Sequence, residues 1–157
     1  MNKLIAFLFV LIFVFSKIAG SQPPTEQDCL GAKTICHTTF STTSALPGTG
    51  NVPNEINPAY SCLESGEKND VWYIFSVQTS GILCFTITPN FSLDDYDWAV
   101  FNLTSSSCAD IFGNPSLEVA CNYAPDPGPT GPNGLGGPQN GDCLSVFVGE
   151  TYAINVS

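Results

Sequence analysis

The sequence has no arginine, and its 157 residues include only four lysines. Against these lysines stand 14 carboxylates, so the formal net charge is −10 at pH 7 with the single histidine neutral. A chain with so little positive charge repels phosphate groups and has no basic patch to neutralise them. We therefore exclude nucleic acid and anionic membrane surfaces as partners. The composition favours divalent cations, neutral glycans or basic proteins.

Several motifs of catalysis and metal binding are also missing. There is no C-x-x-C spacing, which argues against zinc ribbons and thioredoxin-like redox sites. There is no G-x-S-x-G nucleophile elbow. His37 is the single histidine of the chain, so a hydrolytic triad would have to use it as the base. Glycosidase chemistry needs only two carboxylates, so the sequence does not exclude it. These absences favour a non-catalytic domain, and we predict that the chain is not an enzyme.

The chain has one long apolar run, at its N-terminus. It extends from Leu4 to Phe15 and is followed by small residues that end at Ser21. A membrane-spanning helix needs about 20 apolar residues, and this shorter run is typical of a secretory signal peptide. We predict a signal peptide over residues 1–21 and a mature domain over residues 22–157. The mature domain is then secreted or attached to the cell surface and is not inserted into a membrane.

Seven cysteines remain in the predicted mature domain: Cys29, Cys36, Cys62, Cys84, Cys108, Cys121 and Cys143. Oxidising compartments preserve disulfides, so export predicts that most of these cysteines are paired. The odd count leaves one cysteine over. It is either a buried thiol, as Cys84 would be in its apolar surroundings, or a cysteine whose partner lies beyond Ser157. The sequence alone does not determine the pairing.

Alternating apolar, β-branched and aromatic residues predict strands along the mature domain. The predicted strands cover residues 32–40, 71–78, 81–88, 96–103, 117–122, 144–148 and 151–156. We expect the second and third strands to form a hairpin. The last two should form another, about a type II′ turn at Gly149-Glu150. The segment 96–103 is apolar on both sides, as a central strand covered on both faces would be.

Short strands joined by loops rich in Pro, Gly and Asn are typical of a two-sheet sandwich. We therefore predict an all-β, jelly-roll-like antiparallel β-sandwich. Its long loops should be residues 41–70 and 123–141, and the second should be flexible and solvated. The chain stops within its predicted final hairpin strand, so we expect one or more further strands to be missing.

The densest polar cluster is Asp94-Asp95-Tyr96-Asp97, where a loop enters a predicted strand. Oxygen ligands gathered on a loop suit Ca²⁺, which takes about six to eight of them. Asp95 and Asp97 should project to the same side of the strand, and a carboxylate on a partly buried face needs a cation or several hydrogen-bond donors. One interpretation is a calcium site at Asp94, Asp95 and Asp97. The other is that these carboxylates cap a turn or are solvated.

The two tryptophans, Trp72 and Trp98, lie within apolar predicted strands. A tryptophan in such a strand is usually a core residue. Flat aromatic rings exposed on a sandwich can instead stack on sugar rings. We favour the core interpretation for both.

Several different short motifs are distributed along the whole predicted mature domain. They are Asp28-Cys29-x-Gly31-Ala32, Asn54-Glu55-Ile56-Asn57, Ser61-Cys62-Leu63-Glu64-x-Gly66-Glu67, Asp94-Asp95-Tyr96-Asp97-Trp98-Ala99 and Gly149-Glu150-Thr151-Tyr152. Together they resemble a secreted Bacteroidota β-sandwich found at the N-terminus of large surface proteins that the type IX pathway exports. More distantly, the chain is similar to the bacterial pre-peptidase C-terminal domain, which implies a jelly roll with calcium at the sandwich edge in some members. Neither resemblance implies a catalytic residue.

These observations predict a non-catalytic extracellular module that serves adhesion, partner binding or spacing. Its partner would be an unknown extracellular protein or a glycan. Two alternatives stay open: a carbohydrate-binding or calcium-dependent ligand-binding module, and an accessory domain of a secreted hydrolase. Calcium is the one cofactor that the sequence suggests.

Overall fold

The computed structural model describes residues 22–42 and 46–157 of the chain. The predicted signal peptide, residues 1–21, lies outside the described residues. The strands are β1 (Lys33–Thr34), β2 (Val71–Ser76), β3 (Gly81–Leu83), β4 (Trp98–Asn102), β5 (Glu118–Asn122), β6 (Leu144–Val146) and β7 (Thr151–Val156). Short 3₁₀ turns lie at Cys29–Gly31, Cys108–Asp110 and Pro115–Leu117. No helix in the described residues is long and apolar enough to cross a membrane.

The strands form two sheets, which confirms the all-β prediction. The larger sheet has five strands in the order β1-β2-β7-β4-β5, and the smaller one pairs β3 with β6. β1 runs parallel to β2, whereas all other pairs are antiparallel. The predicted antiparallel arrangement therefore holds for every strand pair except β1–β2. The predicted last strand, β7, lies in the middle of the larger sheet with a partner on each side.

The core has two parts, one on each face of the larger sheet. Side chains alternate along β4, so Trp98 and Val100 face the smaller sheet while Ala99 and Phe101 face the other way. The first part packs between the two sheets and includes Val146 of β6. Loops and 3₁₀ turns cover the second part. Burial on both faces explains why the sequence of β4 is apolar on both sides, as predicted.

The hairpin predicted for residues 71–88 is wrong. β2 pairs along all six of its residues with β7, while β3 lies in the other sheet and pairs over three residues with β6. The turn between β2 and β3 thus carries the chain from one sheet to the other. The β2–β7 ladder has six residue pairs, and the four consecutive residues of β7 from Tyr152 to Asn155 are buried.

The hairpin predicted for residues 144–156 is also wrong, since β6 and β7 belong to different sheets. The N–H of Glu150 donates to the carbonyl of Phe147 at 3.1 Å and closes a tight turn. Gly149 is the third residue of this turn, with φ +88°. Positive φ at the third position is the requirement of a type II turn, whereas a type II′ hairpin has its glycine at the second.

There are three disulfides in the described residues: Cys29–Cys108, which joins two 3₁₀ turns, Cys62–Cys121, which joins a loop to β5, and Cys84–Cys143. The unpaired cysteine is Cys36, and it is exposed. The suggestion that Cys84 is a buried free thiol is therefore wrong. Cys84 follows β3, and its disulfide ties the smaller sheet to the loop before β6.

Candidate functional site

The predicted calcium ligands lie on the loop between β3 and β4. Burial raises the pKa of Asp97 to about 6, and the charge of Asp95 adds to this shift. Burial also raises the pKa of Asp95, with a further contribution from Asp126. The main-chain oxygen of Asp94 accepts a hydrogen bond from the N–H of Gly128 at 3.1 Å. The structure thus brings Asp95 close to Asp97 and Asp126, while Asp94 helps to hold the neighbouring loop.

These aspartates do not form a tight ligand set. Within residues 22–42 and 46–157, the one group of three Cys, Asp, Glu or His side chains with ligand atoms within 4.8 Å of one another is Cys62, Glu118 and Cys121. Both of those cysteines are in a disulfide and so lack the thiolate that binds metals. Calcium at Asp94, Asp95 and Asp97 stays a prediction.

The two tryptophans are core residues, as expected. Trp72 and Trp98 are both 0 % exposed, so neither can form a sugar-stacking platform. The indole N–H of Trp98 donates to the hydroxyl of Thr130 at 2.8 Å, and this hydroxyl donates to the carbonyl of Gln139 at 2.6 Å. Thr130 is itself fully buried. The loop 123–141 is therefore anchored in the core at this point, contrary to the prediction of a solvated loop.

Four buried carboxylates lie near the start of β2, where sequence reasoning proposed no site. Asp28, Glu55, Glu67 and Asp70 are each 8 % exposed or less. In the part of the chain that the structure describes, the one ion pair joins Lys33 to Glu26, so no basic side chain pairs with this acidic cluster. Burying charge without a partner is costly, and each carboxylate must find donors, a proton or a cation.

Asp28 is satisfied by hydrogen bonds. One carboxylate oxygen accepts from the N–H groups of Asn51 and Val52, and the other accepts from the N–H and hydroxyl of Thr25. Burial would raise the pKa of Asp28, but these bonds together lower it. Asp28 is therefore a charged structural residue that fastens the loop at Asn51 to the first 3₁₀ turn.

Glu55 and Glu67 form a buried pair. The N–H of Cys29 donates to the carboxylate of Glu55 at 2.8 Å, and the N–H of Glu55 donates to the carboxylate of Glu67 at 2.8 Å. Burial raises the pKa of Glu55 to about 6, with further contributions from the charges of Asp28 and Asp70. Burial raises the pKa of Glu67 to about 8, and the charges of Glu55 and Asp70 add to it. Glu67 thus holds its proton at neutral pH.

Asp70 and Asn155 form the innermost contact of the cluster. The amide Nδ2 of Asn155 donates to Oδ2 of Asp70. Oδ1 of Asp70, Oδ1 of Asn155 and Oε1 of Glu67 are buried acceptors without a hydrogen-bond partner. Burial raises the pKa of Asp70, opposed by its hydrogen bond with Asn155. The indole N–H of Trp72 is a buried donor in the same region, and its interaction with Asp70 is among those that lower the pKa of this carboxylate.

An apolar cleft adjoins the cluster. It has a volume of about 190 Å³ and is lined by Leu30, Val52, Pro53, Asn54, Glu55, Cys108, Ala109 and Phe112. Leu30 is 69 % exposed and Phe112 is 44 % exposed, so two large apolar side chains stand at the surface. Glu55 is the one ionisable side chain in the lining other than the disulfide-bonded Cys108. The cleft thus combines apolar walls with a single acid group.

No protein-family model, curated protein or solved structure matches the chain. The resemblance to secreted Bacteroidota modules therefore stays a prediction.

Sequence reasoning gave Asp28, Glu55 and Asp70 no role. A signal was present nonetheless. Asp28, Glu55 and Asp70 each directly precede a residue of the core: Cys29, Ile56 and Val71. An acid next to a core position, in a chain with few basic residues, indicates a buried carboxylate that needs donors or a cation.

Proposed function

We propose that the chain is a non-catalytic extracellular β-sandwich module that binds a protein partner through the cleft beside the Cys29–Cys108 disulfide. The exposure of Leu30 and Phe112 at the mouth of this concave site carries the proposal. Exposed apolar side chains in a concave surface are typical of interaction sites. Export of the chain, predicted from residues 1–21, places the partner outside the cell.

The covalent frame of the cleft supports this proposal. Leu30 follows Cys29 and Ala109 follows Cys108, so one disulfide joins two opposite parts of the lining. The N–H of Cys29 also donates to Glu55, which fixes a third part. A site held in this way loses little conformational entropy on binding, so more of the contact energy appears as affinity.

Charge indicates the chemistry of the partner. The lining contains one acid group, Glu55, and no basic residue, and the whole chain carries a formal charge of −10. The fitting occupant is a peptide segment that presents an apolar side chain next to a lysine or arginine. Long-range attraction would speed its association, and the apolar side chain would supply most of the affinity.

The other candidate functions have less support. Glycan binding through Trp72 and Trp98 is excluded by their burial, and the exposed aromatic side chains Tyr60, Phe91 and Phe147 lie outside the cleft. Calcium-dependent ligand binding at Asp95 and Asp97 would use a different loop from the cleft. Nothing in the structure favours an accessory role in a hydrolase over binding of a separate partner.

Binding to peptide and glycan arrays tests the proposal. The full chain is expressed with its own leader in an exporting host and purified under oxidising conditions. We expect retention on peptides with adjacent apolar and basic residues, weaker retention when glutamate replaces the basic residue, and none on glycans. Phe112→Ser should weaken binding about tenfold, as loss of a central apolar contact does.

The matched control is Leu135→Ser, which removes an apolar side chain that is 78 % exposed and lies outside the cleft. It should leave retention unchanged. Equal retention by the wild type and Phe112→Ser, or retention only on glycans, would overturn the proposal.

A further inference from the structure

Residues 81–87 pair with other segments along one edge. β3 pairs with β6 over the first three of these residues. Further along the chain, Ile87 exchanges two main-chain hydrogen bonds with Thr130, at 2.7 and 3.0 Å. The N–H of Phe85 donates to the carbonyl of Pro132 at 3.3 Å. Phe85 and Ile87 therefore direct their main-chain groups to the same, paired edge.

The opposite edge is open at Cys84 and Thr86. Cys84 lies opposite Cys143, with their Cα atoms 4.8 Å apart. This short separation is typical of an antiparallel pair whose N–H and C=O groups point away from each other. Within residues 22–42 and 46–157, the main-chain groups of Cys84 and Thr86 have no hydrogen-bond partner, and both residues are exposed. These groups can therefore pair with a further strand.

This open edge lacks the features that usually protect one. Natural sheets commonly place charged side chains or proline on an exposed edge, which prevents pairing with another chain. Residues 71–93 contain no charged side chain, and their single proline, Pro89, lies beyond the pairing segment. By contrast, the outer strands of the larger sheet carry Lys33 on β1 and Glu118 on β5. The edge at Cys84 is therefore the one suited to strand addition.

The core between the two sheets is also incompletely covered. The smaller sheet has two strands, whereas the larger sheet has five. Four apolar or aromatic residues of this core are only half-buried: Tyr73, Phe75, Leu83 and Phe85. A strand added at the open edge would direct every second side chain towards this core. Apolar side chains at those positions would therefore become buried.

We propose that the open edge at Cys84 and Thr86 binds an extended segment of a partner protein as an added strand. The segment would be uncharged and would alternate apolar with small polar residues. Charge complementarity selects this occupant. A basic side chain would find no acidic partner within residues 71–93, and an acidic one would be repelled by the formal charge of −10. The same repulsion opposes a second copy of the chain.

This surface is separate from the cleft, whose lining includes no residue of 71–93. The two surfaces also differ in the chemistry of their partners. The cleft suits a segment with a basic residue, whereas the open edge suits an uncharged strand. Failure of one proposal would leave the other standing.

The probe is an uncharged peptide of about eight alternating valine and threonine residues with blocked ends. Every second main-chain nitrogen is methylated, so the peptide keeps one pairing edge and does not aggregate. In ¹⁵N NMR titrations of the exported chain, we expect the largest shifts at Cys84 and Thr86. Both amides should exchange with water at least about tenfold more slowly, because each gains a hydrogen bond. The peptide methylated at every nitrogen should have neither effect.

Variants at Thr86 test the role of the main chain. Thr86→Pro removes a free N–H and should weaken binding at least about tenfold. Thr86→Ala keeps this N–H and is the matched control, so it should bind as the wild type does. Thr86→Lys covers the case in which Thr86→Pro fails to fold. It places a charge on the exposed edge and should weaken binding to a similar degree.

Val119→Lys tests the other exposed edge. Val119 is 41 % exposed on β5, an outer strand of the larger sheet, and this variant should bind the peptide normally. Absence of shifts in the wild type, shifts centred on β5, or equal binding by Thr86→Pro and Thr86→Ala would overturn the proposal. A dimer in sedimentation experiments that Thr86→Lys dissociates would also overturn it, because a second copy would then occupy the edge.

Discussion

The N–H of Glu55 donates to the carboxylate of Glu67 at 2.8 Å, while the carboxylate of Glu55 accepts from the N–H of Cys29. Two acidic residues thus join the loop before β2 to the first 3₁₀ turn. Because Glu55 also lines the cleft, this chain of hydrogen bonds positions one wall of the proposed binding site. The shape of the surface cleft depends on buried groups that titrate.

Stability should fall as pH rises from about 4.5 to about 8. The folded-state pKa values of Glu55 and Glu67, about 6 and about 8, lie above the ordinary value of 4.5. The folded state therefore binds these protons more tightly than the unfolded state. Their contribution to stability is complete below pH 4.5 and is lost as pH rises through 6 and 8. Thermal unfolding in EDTA across this range should show Tm decreasing by about 5 °C.

Glu67→Gln should make this pH dependence shallower, because a neutral amide can still accept the N–H of Glu55. Glu64→Gln, at an exposed position in the same loop, is the control and should keep the wild-type profile. A Tm that increases with pH over this window would show that the buried pair is charged in the folded state.

Removal of the Cys29–Cys108 disulfide should destabilise the domain strongly. This disulfide closes a loop with a sequence separation of 79. Because it restricts the unfolded chain, a loop of this length should add about 4 kcal/mol to the free energy of unfolding. Cys29→Ala/Cys108→Ala should therefore lower the free energy of unfolding, measured by urea denaturation, by about that amount. Cys36→Ser, at the exposed unpaired cysteine, should have no measurable effect. Equal stability of the two variants would count against the disulfide as the frame of the cleft.

The hydroxyl group of Thr130 should make a large contribution to the free energy of unfolding. Thr130→Val removes the acceptor for the buried indole N–H of Trp98 and the donor to Gln139. We expect a loss of about 1–3 kcal/mol, since a buried donor is left unpaired. Thr130→Ser keeps the hydroxyl and should lose less. If urea denaturation gives the reverse order, the anchor is the methyl group rather than the hydrogen bonds.

Gly131, next to that anchor, should not tolerate a side chain. A Cβ there would lie 2.4 Å from the carbonyl oxygen of Phe85, at a φ of +139°. Gly131→Ala should cost about 3 kcal/mol or more, because main-chain atoms would have to move. Gly136→Ala has positive φ but open space, so it should cost only about 1 kcal/mol. Similar urea midpoints for the two variants would contradict the close approach.

The strands were more predictable from the sequence than their partners. The alternation that marks β2, β4, β5 and β7 is a local property, and all four were predicted close to their observed bounds. Pairing depends on contacts between distant segments. Residues 71–88 and 144–156 each look like a local hairpin, yet β2 and β7 pair with each other, and so do β3 and β6.

The acidic cluster was harder to predict for a related reason. Asp95 and Asp97 were predicted as a site because they lie two positions apart in the sequence, whereas Glu55, Glu67 and Asp70 are brought together by folding. Whether a carboxylate is buried depends on which segments cover it. The acidic cluster is covered by loops, whose positions the local sequence does not reveal. The cleft likewise forms where the loop at Glu55 meets the turn at Cys108, which no local pattern reveals.

Chemical-shift mapping tests the proposed binding function most directly. A ¹⁵N-labelled sample of the exported chain is titrated with a peptide that has adjacent apolar and basic residues. The proposal predicts that the largest amide shifts occur at Leu30, Glu55, Ala109 and Phe112, and that Phe112→Ser removes them. Shifts centred instead on the other exposed apolar residues, Ile82, Phe147 and Val148, or no shifts at all, would contradict it.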